Sequence, residues 1–149
     1  MGYDYLHMAI DDASRLAYVR ALPNERGDTA VAFLHAANAF FLSRGVRVER
    51  VLTDNGSAYV SAVFRSALAE LGMRHKRTRP RRPQTNGEAE RFNRILAEEW
   101  AYARPYTSNP ARLDALPRWL YRYNARRPHT ALGGRSPLDV VNNVCGNYN

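Results

Sequence analysis

Val51-Leu52-Thr53-Asp54-Asn55-Gly56-Ser57, joined through a helical stretch and a basic segment to Asn86-Gly87-Glu88-Ala89-Glu90-Arg91-Phe92-Asn93-Arg94, decides the fold of this chain. Val46 to Thr53 alternates and then turns continuously apolar at Val51 and Leu52, which predicts a strand buried in a sheet between helices. Asp54 follows at its C-terminal end, the edge where functional groups gather in open α/β sheets. Ser61 to Leu71 carries Phe64, Ala67, Leu68 and Leu71 at helical spacing, with Gly72 as its stop. Met73 to Thr78 fits one more short strand, and strand alternating with helix points to an α/β sandwich.

Arg79 to Gly87 is a basic loop, because Pro80 and Pro83 lack an amide donor and Asn86-Gly87 favours a turn. Beyond it, Ala89, Phe92, Ile95, Leu96 and Ala103 define the apolar face of a helix that Pro105 ends. At about 100° per residue, Asn86, Glu90, Asn93, Arg94 and Ala97 form a stripe roughly opposite Phe92, Leu96 and Ala103. Glu90 therefore points away from its helix's hydrophobic face. Glu88 lies about 160° around from Glu90 and cannot share its role.

Toward the N-terminus, Tyr3 to Asp11 and Leu16 to Leu22 are apolar runs separated by turn-formers, a hairpin pattern. From Thr29 the period changes: Ala30, Phe33, Leu34, Ala37, Phe40 and Phe41 mark an amphipathic helix, with Asp28 placed as its cap and Gly45 as its end. Toward the C-terminus, Asn109 and Pro110 look like the cap and first position of a helix bearing Leu113, Leu116, Trp119, Leu120 and Tyr123, with Pro117 a kink or late start. The tail from Arg126 to Asn149 is rich in Arg, Pro, Gly and Asn. No internal repeat is visible.

The 149 residues are enough for one core without disulfides, and 45% apolar content is that of a globular chain. A net charge of +8 suits attraction to a polyanion, although a merely soluble basic protein would carry it too. The lone cysteine, Cys145, excludes an intrachain disulfide and a cysteine-based zinc site. No apolar run approaches a membrane span, so a cytoplasmic protein is expected.

Asp54 and Glu90 are separated by 35 residues and followed or flanked by Arg74, Lys76, Arg77, Arg79, Arg81, Arg82, Arg91 and Arg94. Carboxylates within a basic surface are what phosphodiester chemistry requires, since the acids hold a hard cation such as Mg²⁺ and the bases hold the DNA backbone. Each feature alone also has an ordinary explanation: Asp-Asn-Gly as a turn, a first-turn Glu as support of the helix dipole, and an Arg-Pro loop as a solvated connection.

Thr53-Asp54-Asn55-Gly56-Ser57, Arg79-Pro80, Pro83-Gln84-Thr85-Asn86-Gly87 and Glu90-Arg91-Phe92-Asn93 together resemble the DDE-type integrase core of bacterial insertion-sequence transposases and retroviral integrases. Tyr123-Asn124, Arg127-Pro128-His129 and Leu132 to Pro137 resemble the ending of the bacterial branch. The resemblance implies an α/β, ribonuclease H-like fold, with a mixed sheet flanked by helices on both faces. It implies a catalytic core over 1–104, with a C-terminal helix and Arg/Pro/Gly-rich tail, 105–149, packed on or extending it. It implies Mg²⁺- or Mn²⁺-dependent strand cleavage followed by attack of the freed 3′-hydroxyl on target DNA.

Carried over by position, Asp54 becomes the second metal-binding carboxylate and Glu90 the third, while Gln84 and Asn86 match a loop that contacts DNA. Lys76, Arg77, Arg79, Arg81, Arg82, Arg91 and Arg94 join the DNA-binding set from charge and position. The family's first acidic residue sits on a central strand ahead of the stretch matching Tyr5 to Ile10. That strand is expected to be missing or replaced, which makes the chain a truncated core, with Asp11 the only substitute ligand of weight and otherwise a turn residue. The expected partners are element-end and target DNA and further copies of the chain, a homodimer or higher oligomer, in a bacterial nucleoid. Two other readings stay open: a catalytically incomplete DNA-binding and oligomerising remnant, and a ribonuclease H-like nuclease that cuts without joining.

Overall fold

The computed structural model describes residues 5–78, 87–101 and 108–147. Its elements run β1 (Tyr5–Ile10), β2 (Ala17–Leu22), α1 (Gly27–Ser43), β3 (Arg50–Thr53), α2 (Ala62–Glu70), β4 (Arg74–Arg77), α3 (Gly87–Leu96), α4 (Asn109–Arg126) and α5 (Pro137–Asn147), a mixed α/β chain. Among the described residues the strands form two separate pairs, β1 with β2 and β3 with β4. The chain divides into two compact units, Met1–His7 with Arg20–Gly87 and Met8–Val19 with Glu88–Asn149.

In the first unit α1 and α2 enclose a core of Ala30, Leu34, Phe64, Ala67, Leu68 and Met73, against which Val51 packs from β3. Residues three and four apart share a helix face, so Ala30, Leu34, Ala37 and Phe41 are buried together on α1. Fully burying each larger side chain contributes about 1.5–3 kcal/mol. α1 starts earlier than its expected cap. Arg26 takes the cap position, while Asp28 lies in the first turn, where its Oδ1 accepts from the Thr29 amide at 3.0 Å. Ser61 caps α2 by accepting from the Phe64 amide at 3.3 Å.

The strand expected from Val46 is confined to Arg50–Thr53, because the residues before it close the end of α1: Gly45 adopts φ 80° and the Val46 amide bonds the Phe41 carbonyl at 2.8 Å. β3 then pairs in parallel with β4, in the register Arg50 with Arg74, Val51 with His75, Leu52 with Lys76 and Thr53 with Arg77. The strand period of two makes Thr53 buried while Leu52 stays 42% exposed, so the continuous burial expected at this strand is not observed.

The second unit is built on aromatic packing. Phe92, Leu96 and Trp100 follow one another at four-residue steps and are buried, as are Leu116, Trp119 and Tyr123 of α4. The Phe92 ring meets Tyr123 edge-on at 5.0 Å and Trp119 at 6.0 Å. After Leu96 the helix widens into a π-turn over Ala97–Ala101, which carries Trp100 to where its indole nitrogen donates to the Arg112 carbonyl at 2.8 Å.

The cap of α4 is Ser108, which accepts from the Ala111 amide at 3.2 Å, rather than Asn109; the helix then continues through Pro117 to Arg126. The tail holds more regular structure than its composition indicates, with a short 3₁₀ turn at Thr130–Leu132 and α5 beyond it. Asn124 joins α4 to β2: its Oδ1 accepts from the Ala17 amide at 2.9 Å and its Nδ2 donates to the Ala17 carbonyl at 2.8 Å.

Candidate metal and DNA site

Asp54 follows the last residue of β3 and is exposed. Its position is fixed from several sides. The Thr53 hydroxyl donates to the Asp54 carbonyl at 2.9 Å and lies 2.8 Å from His75 Nε2. Because a hydroxyl has one proton to give, His75 must be the donor in the second contact, which assigns the Nε2–H tautomer from the network. Burial, and then the positive charge of Arg77, pull the His75 pKa below the usual imidazole range and keep the ring neutral, as that tautomer requires.

Beyond Asp54, Asn55 Nδ2 donates to the Thr78 carbonyl at 2.8 Å, tying the loop to the end of β4. The Gly56 amide donates to Asp54 Oδ1 at 2.7 Å and holds the carboxylate. A Cβ at position 56 would stand 2.9 Å from that oxygen, so a side chain here would push the carboxylate aside. Tyr59 packs edge-on against Phe64 at 5.3 Å, and burial, followed by the charges of Asp54 and Glu25, raises its pKa.

Glu90 is exposed on α3, and Asn93 and Arg94 of the same stripe are exposed with it, whereas Phe92 and Leu96 are buried. Glu88 is occupied differently. Its Oε2 lies 3.1 Å from Arg15 Nε and its Oε1 accepts from Arg91 Nη1 at 2.9 Å. Asp11 lies in the β1–β2 turn, where Oδ2 accepts both the Ser14 amide at 3.0 Å and the Ser14 hydroxyl at 2.6 Å. A cavity of about 280 Å³ in this unit is lined by Arg15, Glu88 and Arg91 with Tyr123 and His129. Burial, and then the charges of Arg127 and Arg15, keep His129 below the ordinary imidazole range.

Of the basic residues expected at DNA, Lys76 and Arg77 are exposed on β4, and Arg77 is the register partner of Thr53, so the cations flank the strand end that precedes Asp54. Arg91 and Arg94 are exposed on α3, Arg91 with part of its charge taken by Glu88. Arg79, Arg81, Arg82, Gln84 and Asn86 lie outside the described residues. Sequence reasoning gave no role to His75, Tyr59 or Arg15, and it set aside Glu88, which is engaged by Arg15 and Arg91. The 36-position spacing of Asp54 and Glu90 carries no information about neighbours brought in by pairing β3 with β4 or by the hairpin turn. Among the described residues no three His, Cys, Asp or Glu side chains form a ready metal cluster, and no helix is long and apolar enough to cross a membrane.

The sequence of residues 1–83 matches the family model "Integrase core domain", and residues 71–137 match a second model of the same description. The chain belongs to the integrase core family. This integrase core is 36% identical over 90 residues to the putative transposase InsD for insertion element IS2E of Escherichia coli, a match covering 60% of the chain and 41% of that protein. It is 26% identical over 153 residues to the putative integrase ORF3 of Spiroplasma virus SpV1-C74, covering 94% of the chain and 42% of the relative. It is 35% identical over 99 residues to the retrovirus-related Pol polyprotein from transposon TNT 1-94 of Nicotiana tabacum, 66% of the chain against 7% of the polyprotein.

The chain thus spans less than half the length of these relatives. In fold it matches a chain of the simian T-cell lymphotropic virus intasome in complex with PP2A regulatory subunit B56 gamma, at a TM-score of 0.74 and 24% identity over 94% of this chain and 49% of that one. The fold is ribonuclease H-like by family.

Proposed function

We propose that this integrase core acts in metal-dependent DNA strand cleavage and strand transfer, with Asp54 and Glu90 as carboxylate ligands of Mg²⁺ or Mn²⁺. The observation that carries the reading is Asp54 itself, an exposed carboxylate held at a strand end by the Gly56 amide, on a strand whose last two residues pair with exposed Lys76 and Arg77. Exposed carboxylate oxygens are the donor set that a hard divalent ion takes, and Glu90, exposed on α3, offers the same chemistry. A cation so held would supply Lewis-acid stabilisation of charge on phosphodiester oxygens.

The residues of the chain do the remainder. Asp54 and Glu90 hold charge at the scissile region, and Lys76, Arg77, Arg91 and Arg94 bind phosphates, with Arg79, Arg81, Arg82, Gln84 and Asn86 as further contacts. Asp11 stands as the weaker candidate for a third ligand, since its Oδ2 already serves two bonds in the hairpin turn. Otherwise the family's first carboxylate, the partner of Asp54 and Glu90, comes from a further strand. Residues 105–149 extend the core, in keeping with the Asn124 bonds to β2. Element-end and target DNA in a bacterial cytoplasm, bound by a homodimer or larger assembly, complete the reading.

The test is a Mn²⁺ titration of the chain together with a cleavage-and-joining assay on labelled duplex oligonucleotides. D54N and E90Q should each weaken Mn²⁺ binding and abolish any joined product, while K76A/R77A should lower the salt slope of DNA binding by about 0.9 per lost phosphate contact. Products that are cut and never joined would indicate a simple nuclease. Salt-dependent DNA binding without any Mn²⁺ binding, unchanged by D54N, would indicate a catalytically incomplete DNA-binding remnant.

A further inference from the structure

Arg15 adopts φ 64°, the one positive φ of a non-glycine residue among the described residues. A left-handed backbone at such a residue is strained and persists where the surroundings over-determine it. Here they do. The Arg15 amide donates to the Asp11 carbonyl at 2.8 Å, Ser14 is clamped to Asp11 Oδ2, and the Leu16 amide bonds Ser14 Oγ at 3.1 Å with Leu16 fully buried.

The side chain so presented is only 18% exposed. Its guanidinium serves two carboxylates, Glu88 Oε2 at 3.1 Å from Nε and Asp12 Oδ1 at 3.6 Å from Nη1. Glu88 lies in the first turn of α3, as Glu90 does. Residues two apart on a helix point to nearly opposite sides, so tethering Glu88 to the hairpin turn sets the rotation of this turn and with it the direction of Glu90. From this geometry we infer that Arg15 is a positioning residue for Glu90, acting through Glu88. The inference rests on Glu90 being a metal ligand.

Coulomb attraction and positioning make opposite predictions. A nearby guanidinium repels a divalent cation, so removing it should tighten metal binding if charge were its only effect. Loss of positioning should weaken binding instead. Asparagine tolerates the left-handed region, so R15N removes the guanidinium without adding backbone strain.

The experiment is Mn²⁺ titration calorimetry on the full chain for the parent, R15N, E88Q, R15N/E88Q and E90Q, with circular dichroism to establish the folded fraction. R15N should bind Mn²⁺ about tenfold more weakly per folded molecule, the scale on which residues supporting a ligand act. E88Q should lose a similar factor, and R15N/E88Q no more than either alone, because the two residues act through one contact. E90Q weakened with R15N unchanged or tighter overturns the positioning role alone; E90Q equal to the parent overturns the ligand reading of Glu90 and the inference with it. Should R15N fail to fold, R15K decides: its charge is unchanged, so parental affinity overturns the inference, and a loss supports it because a point charge cannot hold both carboxylates as the planar fork does.

Discussion

Replacing Asn124 should unfold the second unit more readily than any other single polar substitution in its core. The amide is 4% exposed and spends its oxygen and its nitrogen on the amide and carbonyl of Ala17, itself fully buried. N124A removes two hydrogen bonds of 2.9 and 2.8 Å and leaves two backbone groups without partners. At about 1–3 kcal/mol for each buried group left unmade, the loss should be on the order of 3 kcal/mol. In a chain of this size that lowers Tm by about 6–12 °C.

N124D sharpens the test. It keeps the acceptor for the Ala17 amide but turns a second carboxylate oxygen toward the Ala17 carbonyl, so it should be at least as destabilising as alanine at neutral pH. Both tryptophans of the chain, Trp100 and Trp119, belong to the second unit. Urea unfolding followed by tryptophan fluorescence therefore reports on that unit directly. A loss below about 1 kcal/mol for N124A, or N124D lying closer to the parent than N124A, would refute the reasoning.

Two other outcomes follow from the geometry. G56A should push the Asp54 carboxylate off the Gly56 amide and weaken Mn²⁺ binding about tenfold while leaving the thermal midpoint of this exposed loop nearly unchanged; an unaltered Mn²⁺ isotherm would show that the bond does not hold the ligand. Tyr123 is pushed up to about 12 by burial, which outweighs the opposing charges of Arg127 and Arg15. Its folded pKa exceeds the ordinary value of 10, so the unfolded chain loses the proton first and stability falls as pH rises from about 10 to 12. Y123F should remove that part of the slope in urea titrations across this range, and parallel decline of parent and variant would exclude the assignment.

Much of this integrase core can be read directly from its residues. The hairpin, the buried stripe of α1, the helix ending at Gly72 and the exposed stripe bearing Glu90 all follow from local periodicity, because the period of two or 3.6 fixes which side chains share a face. Asp54 at the end of β3 follows from the local pattern, whereas Lys76 and Arg77 reach that strand end only through the pairing of β4 with β3. Cap positions were harder to read, since Ser108 and Asn109 are both good caps and Arg26 is not one by type.

What the sequence by itself determined is the run of elements from β1 to α4, the family and the two candidate carboxylates. What only the tertiary structure decided is how those carboxylates are held. His75 meets Thr53 because β4 pairs in parallel beside β3, Asn124 reaches Ala17 across 107 positions, and Arg15 finds Glu88 from a left-handed turn. Such contacts depend on backbone pairing and close packing between distant segments, which local pattern does not encode.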